Sequence, residues 1–202
     1  MIELPYPVDL FDVETDQVIE ARVVWLDREL TKRGIVVPWW KLPGTTGTQR
    51  REEHDHHWKW IELIGRERQA HGSAYQTVAV QTDNGDVQGA MTYWINRESL
   101  REPEQGAIEI DRLAAAPRNR PNLRKPPCFK GVGFVLLRHA IWHSYRLGFC
   151  GRVYLESVDS QRAHDFYQKH GFEVILEDEG FLTFELPAGA AEHLLSVEGL
   201  LS

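Results

Sequence analysis

The sequence predicts an α/β (α+β) fold, in which a mixed, mostly antiparallel central sheet of about six to seven strands carries helices on both faces. Segments with a helical spacing of apolar residues come first, and strand-type segments follow, in the order α-α-β-β-β-α-β-α-β-β. This order calls for a mixed sheet. Asp83-Asn84-Gly85-Asp86 separates two strand-type runs, and an Asn-Gly step in that position is a strong hairpin signal.

The N-terminal third predicts mainly helices. Pro5–Val13 fits a short first strand. Asp16–Arg33 predicts a helix, because its apolar residues recur at roughly helical spacing and Gly34 follows as a stop. Gly34–Gly47 contains prolines, glycines and two tryptophans and predicts a loop. Thr48–Ala70 predicts a polar, charged helix.

From residue 75 onward, strand-type segments alternate with two apolar helical segments. The predicted strands are Tyr75–Thr82, Val87–Ile95, Ala107–Ala115, Arg152–Ser157, Glu173–Asp178 and Phe181–Leu186. The predicted helices are Gly131–Leu147, Gln161–His170 and Ala188–Leu201. A glycine follows each of the first two, as expected at a helix C-terminus.

The composition is that of an ordinary globular protein and argues against several classes. With 202 residues, 42% of them hydrophobic, the chain is long enough for one sizeable core. It has two cysteines and no apolar run near the ~20 residues of a membrane span, so we expect a cytoplasmic protein without membrane contact. The formal net charge of -7 argues against a general nucleic-acid binder and suits a cationic substrate.

One segment reverses this charge and leads into a glycine-containing turn. Residues 117–130 carry five basic side chains and no acidic one. Lys130-Gly131-Val132-Gly133 then opens a predicted helix, where backbone amides and the helix N-terminus favour an anion such as a pyrophosphate. Gly-x-Gly pairs are also common at ordinary strand-to-helix turns, and the basic run also fits a solvated loop.

Two further segments carry candidate catalytic side chains. Strand alternation puts Glu109, Asp111 and Leu113 on one face. Either Arg112, a neighbouring strand or solvent satisfies the two carboxylates, or Glu109 is a general base at the edge of a cleft. Tyr167 lies on the apolar face of the Gln161–His170 helix, where taken alone it predicts a core aromatic.

Together these segments resemble the GNAT (acyl-CoA N-acyltransferase) family over roughly residues 75–186. Leu113-Ala114-Ala115-Ala116-Pro117 is similar to the family's Leu-Ala-Val-x-Pro strand. Lys130-Gly131-Val132-Gly133 matches the end of its Gln/Arg-x-x-Gly-x-Gly/Ala loop. Ala163-His164-Asp165-Phe166-Tyr167-Gln168-Lys169-His170-Gly171-Phe172 matches its Ala-x-x-Phe-Tyr-x-x-x-Gly-Phe helix closely and is the most specific of the three.

The resemblance implies residue roles. Glu109 would be the general base, directly or through a water, and Tyr167 would protonate the leaving thiolate. Leu113 and Ala115 would offer backbone groups to the pantetheine arm, and Ser160 stands in the cofactor site where the family commonly has Asn. Backbone amides would hold the pyrophosphate at Phe129, Lys130, Gly131, Val132 and Gly133.

Two departures from the family pattern lie in the basic segment. Cys128 occupies the Gln/Arg position, and the loop between Pro117 and Gly131 is longer than is usual in the family. Pyrophosphate binding by side chains would then differ from the family norm. The candidates to substitute are Arg118, Arg120, Arg124 and Lys130.

The resemblance implies an acetyl-CoA-dependent N-acetyltransferase, with acetyl-CoA or another acyl-CoA as donor and no metal. The acceptor would be a primary amine on a small molecule, peptide or protein, and direct attack would need neither cysteine as a nucleophile. We expect one domain over residues 1–202. Residues 1–74 would form its acceptor side, 75–186 its acyl-CoA-binding core and 187–202 a C-terminal helix that caps the sheet or joins a partner, as in a homodimer.

Other functions also fit the resemblance. The basic loop could receive an acyl carrier protein that delivers a longer acyl chain. A GNAT-fold module could bind an acyl-CoA without catalysis. A toxin that acetylates aminoacyl-tRNA is disfavoured by the acidic balance of the chain.

Three groups of side chains fit either a structural or a functional role. Glu53-His54-Asp55-His56-His57 fits a metal site or, more simply, a solvated helix face or a polar wall on the substrate side. His139 and His143 lie among apolar residues and predict satisfied core groups. Four tryptophans fit two interpretations, an aromatic wall of the acceptor site or ordinary packing. They are Trp39, Trp40, Trp58 and Trp60.

Overall fold

The computed structural model describes residues 3–41, 46–158, 160–178 and 180–197, and nine strands lie within them. The strands are β1 (Tyr6–Asp12), β2 (Gln17–Trp25), β3 (Tyr75–Thr82), β4 (Val87–Glu98), β5 (Gly106–Ala115), β6 (Phe129–Lys130), β7 (Val153–Val158), β8 (Glu173–Asp178) and β9 (Phe181–Leu186). The α-helices are α1 (Arg28–Thr31), α2 (Gly47–Glu52), α3 (Trp60–His71), α4 (Val132–Arg146), α5 (Gln161–Lys169) and α6 (Ala188–Val197).

The chain folds as two compact units. The first contains residues 3–92 and 112–136, and its strands β6, β1, β2 and β3 pair in that order. The second contains residues 93–111 and 137–197, and its strands β5, β7, β9 and β8 pair in that order. β4 and β5 have residues in both units. The expectation of a single domain over residues 1–202 stays a prediction.

The predicted fold class is confirmed. β5 and β7 are parallel, whereas β1–β2, β2–β3, β7–β9 and β8–β9 are antiparallel, so the sheet is mixed and mostly antiparallel. It has nine strands in the described part of the chain, against the six to seven predicted. No helix of that part is long and apolar enough to cross a membrane.

One of the additional strands, β2, replaces most of the helix predicted over Asp16–Arg33, and only the end of that prediction is helical, where α1 covers Arg28–Thr31. β2 pairs with β1 from Tyr6↔Val23 to Asp12↔Gln17. Alternation along β2 buries Ala21 and Val23 and leaves the intervening polar residues exposed. Valine and isoleucine make up four of its nine residues, and β-branched side chains lose rotamer freedom in a helix and pack well on a pleated strand.

The predicted helix over Thr48–Ala70 is two helices, α2 and α3. In the break between them, Glu53 and Asp55 turn inward and are buried against Arg120. The remaining predicted strands and helices are confirmed, with boundaries that differ by at most three residues. The predicted end of the last helix, residues 198–201, lies outside the described residues.

The core of the first unit is built around tryptophans. The rings of Trp39 and Trp60 meet edge to face with their centroids 6.0 Å apart, and both residues are buried. Trp40 and Trp58 pack against the same core and are partly buried. Of the two interpretations of these tryptophans, the structure therefore supports ordinary packing.

Candidate active site

Glu109 lies on β5, directly opposite Tyr154 of β7. Its Oε2 accepts a hydrogen bond from Arg97 Nε at 2.7 Å, and the guanidinium of Arg97 lies over the Trp94 ring, 4.4 Å from its centroid. The neighbouring strand β4 thus supplies the partner of this carboxylate. About a third of the Glu109 side chain is exposed (32%), so it remains open to a small molecule.

Tyr154 is the second partner of Glu109. Burial, the negative charge of Glu109 and a hydrogen bond to its carboxylate raise the pKa of Tyr154 well above its ordinary value. Tyr154 therefore stays protonated at neutral pH and donates to Glu109. Arg97 and Tyr154 together fix the orientation of the carboxylate.

Tyr167 lies on α5 and is almost completely buried, with 9% of its surface exposed. Its ring centroid is 5.8 Å from that of Phe172 and 5.5 Å from that of Phe184. Burial raises the pKa of Tyr167 to about 12. Among the described residues, its hydroxyl has no hydrogen-bond partner. Since buried hydroxyls are nearly always paired, this one has the character of a ligand-binding group.

The two predicted catalytic side chains approach the sheet from opposite faces. Glu109 and Tyr154 are paired, whereas Ile110, Leu155 and Phe184 form the adjacent row of paired residues across β5, β7 and β9. Neighbouring residues of a strand point to opposite faces, so Glu109 points away from the face on which Tyr167 packs against Phe184.

The pairing of β5 with β7 covers Ile108–Ile110 and Val153–Leu155, so Glu109 lies at the centre of the paired segment.

Leu113 and Ala115, the predicted pantetheine contacts, belong to the end of β5 in the first unit. The Ala115 carbonyl already accepts hydrogen bonds from Arg120, at 2.8 Å from Nε and 2.6 Å from Nη2. Arg120 also binds Glu53 and Asp55, with 2.6 Å from Nη1 to Glu53 Oε2 and 2.6 Å to Asp55 Oδ1. Only 6% of Arg120 is exposed, so it is a structural cation and cannot substitute at the pyrophosphate as the sequence suggested.

The glycine turn begins directly after β6, which pairs with β1. The Phe129 N–H already donates to Asn119 Oδ1 at 3.1 Å, which leaves the later amides as the pyrophosphate candidates. Gly131 has a φ of +89°, a conformation that favours glycine. α4 then starts at Val132, and the N–H groups of its first turn have no intrahelical acceptor.

Gly89 fixes where this helix start lies in the first unit. A Cβ at Gly89 would lie 2.5 Å from Val132 Cγ1 and 3.2 Å from the Ala114 carbonyl oxygen. The missing side chain therefore lets the first turn of α4 pack directly on β4. The same contact brings the predicted anion site close to the backbone of β5.

The remaining predicted groups have structural partners. Cys128 is held in place because its N–H donates to the Arg118 carbonyl at 2.9 Å and its Sγ accepts from Arg124 Nη1 at 2.6 Å. Ser160 precedes α5 and makes no side-chain cap. In the described ranges, no group of three or more His, Cys, Asp or Glu side chains could hold a metal ion, and His54 is exposed.

Sequence reasoning missed Arg97, Trp94 and Tyr154. The Arg97–Glu109 contact depends on how β4 lies against β5, and the Tyr154–Glu109 contact depends on the β5–β7 register. The sequence alone does not determine that register. The one available signal was the presence of an arginine and a tyrosine on strands predicted to neighbour β5.

A known protein family matches the part of the chain that contains these site residues. Residues 37–172, more than half of the chain, match the model of the acetyltransferase (GNAT) family. The chain therefore belongs to the GNAT acetyltransferase family. The match begins at residue 37, so it includes part of the N-terminal region that precedes the three motifs. A search of curated proteins found no significant match.

Solved structures share the fold at low sequence identity. Apo FdhC, described as a nucleotide-linked sugar GNAT, is 11% identical over 98% of each chain, with a TM-score of 0.56. A mutant of the AtaT toxin, bound to the C-terminus of the antitoxin AtaR, is 17% identical over 87% of this chain and 97% of that chain, with a TM-score of 0.57. Glucosamine-6-phosphate N-acetyltransferase from Arabidopsis thaliana is 15% identical over 79% and 95%, with a TM-score of 0.52.

Proposed function

We propose that this protein is an acetyl-CoA-dependent N-acetyltransferase that transfers the acetyl group to a primary amine by direct attack. The amine belongs to a small molecule, peptide or protein. The observation that carries the proposal is the buried Tyr167 hydroxyl, which lacks a partner among the described residues. The two free cysteines, Cys128 and Cys150, are compatible with the reducing cytoplasm in which we place the reaction.

Direct attack forms the amide C–N bond and breaks the thioester C–S bond. The amine loses one proton and the sulfur gains one, so the site needs a proton acceptor and a proton donor. Tyr167 is suited to be the donor, because its raised pKa keeps it protonated at neutral pH. After donation it regains its proton from solvent.

Glu109 is suited to be the proton acceptor, directly or through a water. An alkylamine has a pKa near ~10, so at neutral pH the acceptor arrives as an ammonium ion. It must lose one proton to solvent before it attacks, in addition to the proton that nitrogen loses to Glu109 as the amide forms. Arg97 and Tyr154 hold the carboxylate in one orientation, and part of it remains exposed. The positions of Glu109 and Tyr167 on opposite faces suit a base on the amine side and an acid on the sulfur side.

The donor would supply the activated acetyl group and bind along groups that the fold leaves open. The amides from Lys130 to Gly133 would hold its pyrophosphate at the start of α4. The N–H groups of Leu113 and Ala115 would serve the pantetheine arm, whereas the Ala115 carbonyl is occupied by Arg120. These assignments fit the residues present without a metal.

The test is to mix the purified protein with acetyl-CoA and a panel of primary amines and to measure thiol release. We expect release of CoA with at least one amine. Absence of release with every amine, together with absence of CoA binding by calorimetry, would refute the proposal. Release only with a long-chain acyl carrier protein would identify the alternative donor, and CoA binding without transfer would identify a non-catalytic module.

Tyr167→Phe tests the role of the hydroxyl without changing the packing of the ring. We expect turnover to fall by about 10²–10⁴-fold, the usual contribution of a general acid, with CoA affinity unchanged within about twofold. Tyr145→Phe is the control, because Tyr145 is 38% exposed on α4. Equal turnover of the two variants would remove Tyr167 from the mechanism.

A further inference from the structure

A cavity lies within the first unit, and neither Glu109 nor Tyr167 lines it. Its volume is about 240 Å³, and the cationic side chains that line it are Lys41, Arg118 and Arg124. Trp39, Ala116 and Pro117 supply apolar walls, and no carboxylate lines it. Since a water molecule takes about 30 Å³, the cavity has room for a phosphate group and the atoms that attach it.

Arg118 is positioned in this cavity by Val87 and Gln88 of β4. Its Nε donates to Gln88 Oε1 at 3.1 Å and its Nη2 donates to the Val87 carbonyl at 3.2 Å. The Trp39 indole N–H donates to the same Val87 carbonyl, also at 3.2 Å. One carbonyl therefore fixes both the cation and the aromatic wall, so the cavity is preorganised.

Most N–H groups of the three cationic side chains have no hydrogen-bond acceptor among the described residues. Within the described residues, Lys41 has no side-chain hydrogen bond or ion pair, and Arg124 contacts only Cys128 Sγ. Arg118 has one weak acidic contact, 3.5 Å from Nη2 to Asp86 Oδ2, and its Nη1 has no partner in the same ranges. Three cations that line one cavity repel one another, and an anion bound among them would offset that repulsion.

We propose that this cavity binds a phosphate group of a ligand. Guanidinium N–H pairs match phosphate oxygens in geometry, and an ammonium adds a compact charge. The cavity is separate from the Gly131–Gly133 amides, because none of those residues lines it. The phosphate would belong either to the acyl donor or to the amine acceptor, and the experiment below distinguishes these sources. Binding here does not depend on acyl transfer.

The probe is inorganic pyrophosphate, titrated calorimetrically into the full chain at low salt. We expect saturable binding that weakens as salt rises. The test variant is Lys41→Ala/Arg124→Ala, because both side chains are exposed and, among the described residues, the Arg124 side chain contacts only Cys128 Sγ. We expect it to bind at least about tenfold more weakly for each cation removed, since hydrogen bonds to charged groups are worth that much. The control Lys59→Ala/Arg66→Ala removes two exposed cations of the same unit outside the cavity.

CoA and dephospho-CoA then identify the source of the phosphate. If the cavity holds the 3′-phosphate of the donor, the test variant loses affinity for CoA but not for dephospho-CoA. If it holds a phosphate of the acceptor, the variant binds CoA normally, and pyrophosphate still binds wild-type protein saturated with CoA. Equal pyrophosphate affinity of the test and control variants, or no saturable binding to the wild type, would overturn the proposal.

Discussion

Acidification tests how the stability of the second unit depends on pH, because two histidines are buried there around one tyrosine. The Tyr93 hydroxyl lies 2.8 Å from His139 Nε2 and 3.0 Å from His143 Nδ1. One hydroxyl can donate to one ring nitrogen and accept from the other, so the ring that accepts the hydrogen bond must be neutral. Burial lowers the pKa of His139 to about 3 and that of His143 to about 4.

The sign and size of the pH effect follow from these pKa values. Both folded-state pKa values lie below the ordinary value of 6.5, so the unfolded chain binds more protons at acid pH. The contribution of the two histidines to stability is therefore fully present above pH 6.5 and is lost as the pH falls from there toward 4. Each histidine costs ~2 kcal/mol between pH 8 and pH 5, and the pair costs ~4 kcal/mol, a large share of the stability of a typical domain.

The assay is urea unfolding at pH 8, 7, 6 and 5. Between pH 6 and 5 we expect the free energy of unfolding to fall by ~2.4 kcal/mol in the wild type, because the unfolded chain binds nearly two more protons than the folded one. His143→Gln should show about half of that slope, whereas His54→Gln, at an exposed position, should keep the wild-type slope. A wild-type slope below ~1 kcal/mol per pH unit, or identical slopes in wild type and His143→Gln, would show that the rings are not buried neutral.

Two further substitutions test the active site and the loop beside it. For Glu109→Gln we expect kcat/KM at pH 7 to fall by about 10²–10⁴-fold. It should recover partly toward pH 10, because the acceptor amine then loses its own proton. A pH profile of kcat/KM parallel to that of the wild type would exclude Glu109 as the base. For Arg120→Met we expect a loss of about 3–5 kcal/mol in urea unfolding, because Glu53 and Asp55 stay buried without their cation. The exposed-pair variant Arg66→Met should lose no more than ~1 kcal/mol, and similar losses in the two variants would contradict the assignment of Arg120 as a buried structural cation.

The second half of the fold could be predicted from the sequence because its signals are local. The helix α5 combines an apolar face with a glycine stop, and the Asn84-Gly85 step fixes the β3–β4 hairpin within a few residues. The motif around Tyr167 is contiguous, so it identifies the family without knowledge of any long-range contact. The burial of Tyr167 also follows from its place on that apolar face.

The N-terminal third could not be predicted in the same way. Val18, Ile19, Val23 and Val24 satisfy a helical spacing and a strand alternation almost equally well over nine residues. What decides between them is the pairing of β2 with β1 and β3, and β3 lies about fifty residues further along the chain. Tertiary pairing thus overrides a short periodic pattern.

The basic segment shows why a count of charges does not give a count of ligand contacts. Of its five cations, Arg120 is buried against two carboxylates that lie 67 and 65 residues upstream. Lys130 lies over the Phe11 ring, 5.6 Å from its centroid. Arg118 and Arg124 remain directed at a cavity, where Lys41 from a different segment joins them. The positive charge of the cavity therefore comes from two segments, and Arg120, through Glu53 and Asp55, ties the segment that carries two of the three cations to the region around α2.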